Sequence, residues 1–343
     1  MKVNRAELLE TLKKIQPGLS TAKDAAAGGQ AHCVVFEADR VFSFNNEVAI
    51  TLPYATDVVG AFVAAPLIEV LGRMPDETID ILATAAEMRI TGKKTKVGIR
   101  REATVSLPIG EIGQAKAWSR LPVDFVQAVR FCRFSAARGT ACPVLGFLNI
   151  KGRTVESCDN FRLTRYTMQS AVKEDVMFRA AAVAELTEYP IIQLGQSPGW
   201  THFRDKEGLV YSCRSLTGEY PDLSPLIVDD GAPVDLPKEL VGALERAEIF
   251  TKGMDDGANF VSVQIMAGCV LITGTGPNGW YKERTDAPGY TGDPLCFSVQ
   301  PDFLKDSLHL LNKATVSTGK LKLEGANFVH VVNLLMPTAA KEE

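Results

Sequence analysis

The sequence repeats one pattern, a short amphipathic segment followed by strand-like runs. The segments start at Asn4, Pro66, Pro122, Ala180, Pro237 and Pro301. Successive starts therefore lie 56 to 64 residues apart. In most segments apolar residues recur at helical spacing, as Leu304, Leu308 and Leu311 do in the last one. A fixed period of this kind predicts repeated supersecondary units, each with one helix.

Between the segments lie runs such as VSVQIMAGCVLIT, which are rich in β-branched residues and broken by Gly, Asn or Asp. They predict about three strands in each repeat. Because one helix on three strands cannot close a core, two repeats are needed for one domain. The sequence thus predicts three similar domains, 1–117, 118–232 and 233–343, with boundaries near Gln114 to Arg120 and Asp230 to Leu236.

Cysteine and histidine usage gives no metal-binding or disulfide pattern. The seven cysteines are widely spread without a CxxC pair, and the four histidines are scattered. This predicts free thiols in a reducing compartment and no metal site. No apolar run reaches the ~18 residues of a membrane span. The N-terminus MKVNRAELLETLKK is unlike a signal peptide, so we expect a cytoplasmic protein that does not contact a membrane.

The motifs give no coherent enzyme chemistry. Gly274, Gly276 and Gly279 spell GxGxxG after a strand, but Pro277 and Asn278 favour a hairpin turn over the helix that a dinucleotide site requires. We expect no catalytic activity and no cofactor. An enzyme of unknown type remains an alternative, discouraged by the absence of a coherent acid–base or metal set, which ligand-dependent turnover lost on substituting one buried His or Asp would revive.

The formal net charge of −4 argues against tight wrapping of a nucleic acid. The charge is unevenly distributed, because the six helical segments sum to +2 and the remainder to −6. Taken alone, this asymmetry favours ordinary solvated helix faces.

The stretch ESCDNFRLTRYTM, residues 156 to 168, predicts two strands joined by a tight turn at Asp159 and Asn160. The turn places Phe161 and Arg162 at its mouth. Two interpretations are open, an ordinary hairpin with its apolar residues in the core and the rim of a binding pocket.

Four stretches together resemble one known family, the bacterial DNA polymerase sliding clamp, or beta subunit. They are SCDNFRLTR, RSLTGEYPDLSPLI, PDFLKDSLHLL and VNLLMP, in this order and at matching spacing. The resemblance covers the whole chain. It implies an α+β fold of three clamp-type domains, each with two helices packed on antiparallel sheets, closing into a ring as a head-to-tail homodimer.

The resemblance also implies a function without catalysis. Such a ring encircles double-stranded DNA without reading its sequence, tethers the replicative DNA polymerase and accepts peptides from the polymerase and the clamp loader. A ring held by topology needs few phosphate contacts, so mildly basic helices and an acidic remainder suit it.

Site residues carried over from the resemblance fall into three groups. The implied DNA contacts are Lys23, Arg73 and Arg138. The implied peptide-binding pocket consists of Val144 on the strand PVLGFLNI, Cys158, Asn160, Phe161, Arg162, Leu163, Pro221, Leu226, Leu334, Met336 and Pro337. The implied dimer interface consists of Val105 and Leu107 on a strand TVSLP, and of Ile249 and Phe250 at the end of the fifth helix. For these four, intradomain core is the alternative.

The chain departs from the family at the pocket. Asn160 and Phe161 stand where the family usually has Gly-His, and Pro225 stands where it often has Arg. The resemblance therefore predicts a reshaped pocket with altered peptide preference. A clamp-like scaffold for protein interactions, monomeric and no longer encircling DNA, is the alternative function.

Overall fold

The computed structural model of the chain describes residues 1–20, 29–138, 142–227, 230–252, 259–308 and 311–336. The helices are α1 Arg5–Ile15, α2 Ala64–Arg73, α3 Ile109–Ile112, α4 Phe125–Cys132, α5 Leu240–Thr251 and α6 Pro301–Leu308. The first strands are β1 Lys2–Asn4, β2 Cys33–Phe36, β3 Arg40–Phe44, β4 Val48–Pro53, β5 Gly60–Val63, β6 Thr78–Ala83, β7 Glu87–Thr91, β8 Lys96–Arg100 and β9 Ser119–Arg120.

The remaining strands are β10 Phe147–Lys151, β11 Thr154–Cys158, β12 Arg162–Thr167, β13 Val176–Arg179, β14 Gln193–Ser197, β15 Trp200–Arg204, β16 Val210–Arg214, β17 Ala232–Asp235, β18 Val261–Met266, β19 Gly268–Gly276, β20 Gly279–Ala287, β21 Leu295–Val299, β22 Lys313–Ser317, β23 Lys320–Glu324 and β24 Phe328–Asn333. Helices and antiparallel strands together confirm the predicted α+β class. In the described part of the chain, no helix is both long and apolar enough to cross a membrane.

The chain divides into two compact units, and each draws on two stretches of sequence. The first unit comprises 1–126 and 172–218, and the second comprises 127–171 and 219–343. The three-domain division at 117 and 232 stays a prediction.

In the first unit, one sheet has the order β1-β6-β7-β8, and another has the order β5-β2-β3-β4-β16-β15-β14-β9. Helix α1 starts where the Asn4 side chain accepts hydrogen bonds from the backbone of Ala6 and Glu7 at 2.9 and 3.2 Å. This cap satisfies two N–H groups that lack partners in the first turn. The apolar face of α1, with Leu8 and Leu12, is fully buried.

In the second unit, one sheet has the order β20-β19-β18-β21, and in another β10-β11-β12-β24-β23-β22-β17 are consecutive neighbours. Helices α5 and α6 bury Leu240, Leu244 and Leu304 in the core of this unit. A methyl group added at Gly274 or Gly276 would lie 2.2 or 1.9 Å from a backbone oxygen of α5. Glycine at these two positions therefore lets the α5 backbone lie close to β19.

The GxGxxG stretch is the predicted hairpin turn. Gly276 ends β19, Gly279 begins β20, and the two are paired across the antiparallel ladder. No helix opens at Gly279, so the requirement of a dinucleotide site is not met here.

Five of the six predicted helices are confirmed, and the fourth is wrong. The segment from Ala180 forms two 3₁₀ turns, Ala181–Val183 and Leu186–Glu188, rather than an α-helix. Its backbone bonds span three residues, as from the Tyr189 N–H to the Leu186 carbonyl at 3.1 Å. Pro190 follows directly and disfavours helical backbone at Tyr189, so the segment ends there with extended backbone.

The strand predicted over TVSLP is also wrong. Strand β8 ends at Arg100, and residues 104–108 belong to no strand. The backbone N–H of Ser106 donates to the Gln30 side chain at 2.8 Å rather than to a sheet ladder. Val144 is likewise not on a strand, because it lies in the 3₁₀ turn Pro143–Gly146 before β10 begins.

Candidate functional site

The turn between β11 and β12 has the predicted geometry. The Asp159 carboxylate accepts hydrogen bonds from the backbone N–H groups of Phe161 and Arg162, both at 2.8 Å. The Asp159 N–H donates to the Arg162 carbonyl at 2.9 Å. These bonds fix a tight turn with Asn160 and Phe161 at its tip.

This turn forms one wall of a cavity of about 530 Å³ in the second unit, which we call the α6 cavity. Helix α6 forms another wall. The lining residues are Ala136, Ala137, Arg138, Cys142, Leu145, Asp159, Asn160, Phe161, Arg162, Asp302, Phe303 and Asp306. The volume is within the range of small-molecule and peptide side-chain sites.

Arg162 links the two walls of the α6 cavity. Its side chain is buried and contacts Asp159 at 3.2 Å and Asp306 at 2.9 Å. Its guanidinium also lies over the Phe303 ring, 4.3 Å from the centroid, and 5.5 Å from the centroid of Phe134. A buried guanidinium held by two carboxylates and two rings has little freedom to move. Arg162 therefore fixes the position of α6 relative to the turn.

Phe161 gives the α6 cavity an exposed aromatic surface. Its side chain is 48% exposed and stacks on Phe303 with the ring centroids 6.1 Å apart. An exposed ring held by a second ring is a suitable contact for an apolar ligand group. Carboxylates flank this surface, and Asp302 is paired with Lys305 at 2.8 Å. The cavity thus combines an aromatic shelf with a mixed-charge rim.

Behind the turn lies a small apolar cluster of Cys158, Leu163, Leu223 and Val331. Leu145 packs against it and also lines the α6 cavity. The Tyr220 hydroxyl accepts a hydrogen bond from the Cys158 N–H at 3.0 Å and lies 3.6 Å from the Cys158 sulfur. Burial raises the pKa of the Cys158 thiol, so the thiol stays protonated near neutral pH. These contacts anchor Tyr220 to the end of β11, next to the turn.

The implied pocket residues lie in several places. Asn160, Phe161 and Arg162 line the α6 cavity, and Cys158 and Leu163 lie in the apolar cluster behind it. The other described residues of the implied pocket are Val144, Pro221, Leu226, Leu334 and Met336, and they belong to neither group. Of these, Leu226 and Met336 are exposed and Leu334 is buried in the core of the second unit. Pro337 lies outside the described residues.

The sequence interpretation missed the α6 wall. Asp302, Phe303 and Asp306 line the cavity, while Leu304 and Leu308 of the same helix are buried in the core. Positions 302, 303 and 306 lie on one face of a helix, opposite the apolar face. That spacing in PDFLKDSL was the available signal, but nothing local shows which element the face meets.

The implied DNA contacts have separate environments. Lys23 lies outside the described residues. Arg73 is exposed in the last turn of α2 and pairs with Glu69 at 2.7 Å. Arg138 is exposed and lines the α6 cavity together with Asp302 and Asp306. Their role in binding DNA stays a prediction.

The implied interface residues differ in exposure. Ile249 is 67% exposed and Val105 is 45% exposed, whereas Leu107 packs against the buried cluster around Cys33 and Trp200. Phe250 stacks on Tyr281 with centroids 6.0 Å apart. Trp280, next to Tyr281 at the start of β20, is 70% exposed and was not predicted.

Two buried histidines, His202 and His330, have structural environments. His202 bonds Ser197 at 2.8 Å through Nε2 and Ser212 at 2.7 Å through Nδ1, and burial lowers its pKa to about 4. Nδ1 of His330 lies 2.9 Å from the Thr164 hydroxyl, and burial lowers the pKa of His330 to about 3. Both rings are therefore neutral at pH 7 and fixed in sheet interiors.

Comparison of the structure with solved structures finds bacterial sliding clamps. The beta chain of DNA polymerase III from Streptococcus pneumoniae matches with a TM-score of 0.83 and 18% identity, covering 98% of this chain and 99% of that one. The beta subunit from Pseudomonas aeruginosa matches with a TM-score of 0.83 and 14% identity, covering 98% and 100%. The sliding clamp from Bacillus subtilis matches with a TM-score of 0.78 and 16% identity, covering 98% and 99%.

At the level of sequence, neither a family model nor a curated protein matches the chain. The similarity is therefore one of structure, and it extends over almost the whole chain. The protein has the fold of the bacterial DNA sliding clamp, as the resemblance of its four stretches implies.

Proposed function

We propose that this protein is a DNA sliding clamp that encircles duplex DNA and tethers a replicative polymerase. The observation that carries the proposal is the match of the clamp fold over 98% of the chain, with TM-scores up to 0.83. Solved proteins of this fold are described as the beta chain of DNA polymerase III and as a DNA polymerase sliding clamp. The proposal assigns no catalytic activity and no cofactor, and it places the protein in the cytoplasm with the replication machinery.

The charge of the chain supports binding by topology. A net charge of −4 is unsuited to neutralising many phosphates. A closed ring needs no such neutralisation, and weak phosphate contacts allow sliding. Arg73 is a candidate for one of these contacts because it is exposed at the end of α2.

The α6 cavity is proposed to receive short peptides from the polymerase and the clamp loader. The support is local: Phe161 presents an exposed ring stacked on Phe303, and Arg162 holds both walls in place. An apolar peptide side chain on this shelf would bury aromatic surface in a preformed groove. Because Arg162 is committed to Asp159 and Asp306, the other arginine among the described lining residues, Arg138, is a candidate partner for a peptide carboxylate.

The homodimer is proposed to form through exposed apolar residues near α5 and around residue 105. Ile249, Trp280 and Val105 are large apolar side chains exposed to solvent in a single chain. Apolar residues at the centre of a contact are typical of homodimers. Phe250 supports this surface through its stacking on Tyr281.

The solution mass of the purified chain tests ring formation. Light scattering over a dilution series is expected to give twice the mass of one chain, and Ile249→Asp is expected to give monomers. The matched control is Val123→Asp, because Val123 is also exposed, at 81%, but was not assigned to the interface. A monomer at every concentration in the unaltered protein would instead support the scaffold without encircled DNA.

A further inference from the structure

The strongest unassigned cluster of ligating groups lies in the first unit. One atom each of His32, Cys33 and Glu102 lies within 4.8 Å of the other two, from an imidazole nitrogen, a thiol and a carboxylate. The cysteine is fully buried, and the other two side chains are partly buried. No spacing motif in the sequence predicts a metal site here, because Glu102 is distant in sequence and is brought in by the fold.

The sheet register explains why Cys33 and Glu102 meet. Val35 of β2 pairs with Ala61 of β5, and the Glu102 N–H donates to the Ala61 carbonyl at 2.9 Å. Residues opposite one another in a sheet share a face, and so do residues two apart in one strand. Cys33 and Glu102 therefore lie on one face, on opposite sides of β5, which carries Ala61 and Val63. The Glu102 carboxylate contributes, after burial, to raising the pKa of the Cys33 thiol to about 11.

Two hydrogen bonds of the Gln30 side chain hold His32 close to Cys33 and Glu102. The Gln30 amide donates to the Thr104 carbonyl, and its oxygen accepts from the Ser106 N–H at 2.8 Å. These two bonds tie the chain just after Glu102 to the chain just before His32. The imidazole is thereby kept next to the thiol and the carboxylate, although His32 itself lies just before β2 begins.

The imidazole has a nitrogen with unused hydrogen-bonding capacity. Nδ1 of His32 is buried and has no hydrogen-bond partner within the described part of the chain. Leaving a buried polar atom unpaired is unfavourable, so such atoms in native proteins call for an explanation. A bound cation would satisfy this nitrogen. The carboxylate is also available, because its ion pair with the exposed Arg100 is long, at 3.5 Å, and close to the surface.

We propose that His32, Cys33 and Glu102 bind one divalent cation of the zinc type, with a water molecule as the fourth ligand. Thiolate, imidazole and carboxylate together suit Zn²⁺ and are unlike the all-oxygen sets that Mg²⁺ and Ca²⁺ require. The Zn–S and Zn–N lengths of a tetrahedral site place ligand atoms about 3.5 Å apart. Ligand binding would therefore require side-chain adjustments that bring these atoms closer together by about 1 Å. The thiol proton is released to solvent on binding, since the ligand is the thiolate.

This site is independent of the proposed clamp function. It lies within one unit, uses no residue assigned to DNA or peptide binding, and needs no partner. Its occupancy would bridge the start of β2 to the segment after β8, and zinc is therefore expected to raise the melting temperature of the protein.

Cobalt(II) titration of the full-length, metal-free protein tests the proposal. The expected result is one equivalent of Co²⁺ with tetrahedral d–d bands and a thiolate-to-cobalt charge-transfer band, displaced by Zn²⁺. Cys33→Ser is expected to abolish the charge-transfer band. Glu102→Gln is expected to weaken binding by at least about tenfold, the loss seen even for outer partners of metal ligands.

Two cysteine controls make the test specific. Cys213→Ser removes another fully buried thiol of the same unit and is expected to leave the spectrum unchanged. Cys142→Ser removes the exposed thiol and is expected to do the same. Absence of a charge-transfer band in the unaltered protein would overturn the proposal, as would a band lost only in Cys142→Ser. Should Cys33→Ser not fold, Glu102→Gln decides, since its side chain is 21% exposed and unchanged Co²⁺ affinity would contradict the site.

Discussion

The two units of the molecule contain matching hairpin turns. In the first unit Asn45 joins β3 to β4, and its side-chain oxygen accepts from the N–H groups two and three residues further on, at 3.2 and 2.8 Å. In the second unit Asp159 joins β11 to β12, and its carboxylate does the same at 2.8 and 2.8 Å. The backbone N–H of each residue also bonds the carbonyl three residues on, at 3.0 and 2.9 Å.

The match extends to the helix that precedes each turn. Ser43, two residues before Asn45, donates to the carbonyl of Ile15 at the end of α1, at 2.6 Å. Ser157, two residues before Asp159, donates to the carbonyl of Cys132 at the end of α4. The repeats that begin with α1 and α4 therefore share specific hydrogen bonds as well as a helix and strands.

The turns differ in the side chains they present. In the first unit Val48 follows the turn as a buried apolar residue, and the Asn45 amide donates to the Pro17 carbonyl at 3.1 Å, which closes the turn against the chain after α1. In the second unit the equivalent position is Arg162, which reaches Asp306 and leaves Phe161 exposed. The same hydrogen-bonded turn thus packs against the chain after α1 in the first unit and lines a candidate binding cavity in the second.

Replacing Arg162, the residue that distinguishes the second turn from the first, is expected to have the largest effect, a loss of stability. Arg162→Met removes the buried guanidinium and leaves Asp159 and Asp306 without their common partner. We expect a loss of about 3 kcal/mol in the free energy of unfolding, measured by urea denaturation, because breaking a buried ion pair is costly. Arg73→Met is the control, since this arginine pairs with Glu69 at 2.7 Å and both side chains are more than half exposed, so its loss should cost clearly less. Equal losses in the two variants would contradict the anchoring role of Arg162.

A buried histidine in each unit predicts how the free energy of unfolding depends on pH. His202 and His330 have folded-state pKa values lowered by burial to about 4 and about 3, against an ordinary value near 6.5. Below pH 6.5 the unfolded state binds protons that the folded state excludes, so stability falls as pH falls. The loss is about 1.4 kcal/mol per pH unit per histidine until the folded pKa is reached.

Urea unfolding at a series of pH values checks this expectation. His330→Gln should flatten the slope between pH 6 and pH 4 relative to the unaltered protein, and His202→Gln should flatten it by a similar amount. An unchanged slope in both variants would show that the rings are not the groups responsible.

The next effect concerns ligand binding at the second turn. Phe161→Ala removes the exposed ring that stacks on Phe303 and should weaken binding of a labelled apolar peptide by about tenfold or more, measured by fluorescence anisotropy. Stability should change little because the ring is 48% exposed. Glu47→Ala, at the equivalent position of the first turn, is the matched control. Unaltered peptide affinity in Phe161→Ala would remove this ring from the site.

The smallest expected effect compares the two turn residues themselves. Asn45→Ala and Asp159→Ala each remove a side-chain acceptor for two backbone N–H groups, which should cost about 1 kcal/mol in urea unfolding. Asp159→Ala should cost about 1 kcal/mol more, because it also removes a carboxylate from Arg162. A smaller cost for Asp159→Ala than for Asn45→Ala would argue against that coupling.

Much of the fold followed from local pattern. Periodic apolar residues and N-terminal prolines predicted α1, α2, α4, α5 and α6, and Asp159 with Asn160 predicted the turn. The exceptions have local causes of their own. Pro190 ends the fourth segment at Tyr189, whose backbone is extended, and the Gln30 side chain competes with a ladder at Ser106.

The cavity could be predicted only in part. The mouth of the turn is visible in the sequence, but the wall opposite is formed by α6, and the contact from Arg162 to Asp306 spans 144 residues. Periodicity shows which face of a helix is apolar and does not show what its polar face meets. The cluster of His32, Cys33 and Glu102 was missed for the same reason, since a sheet register joins it.

Retention on closed DNA tests the central proposal most directly. The protein is mixed with linear duplex, the DNA is circularised by ligase, and the product is passed through gel filtration at high salt, which removes proteins held by phosphate contacts. A sliding clamp is expected to stay with the circle and to be released when a single restriction cut makes the DNA linear again. Protein that leaves circular and linear DNA equally at high salt would contradict encirclement.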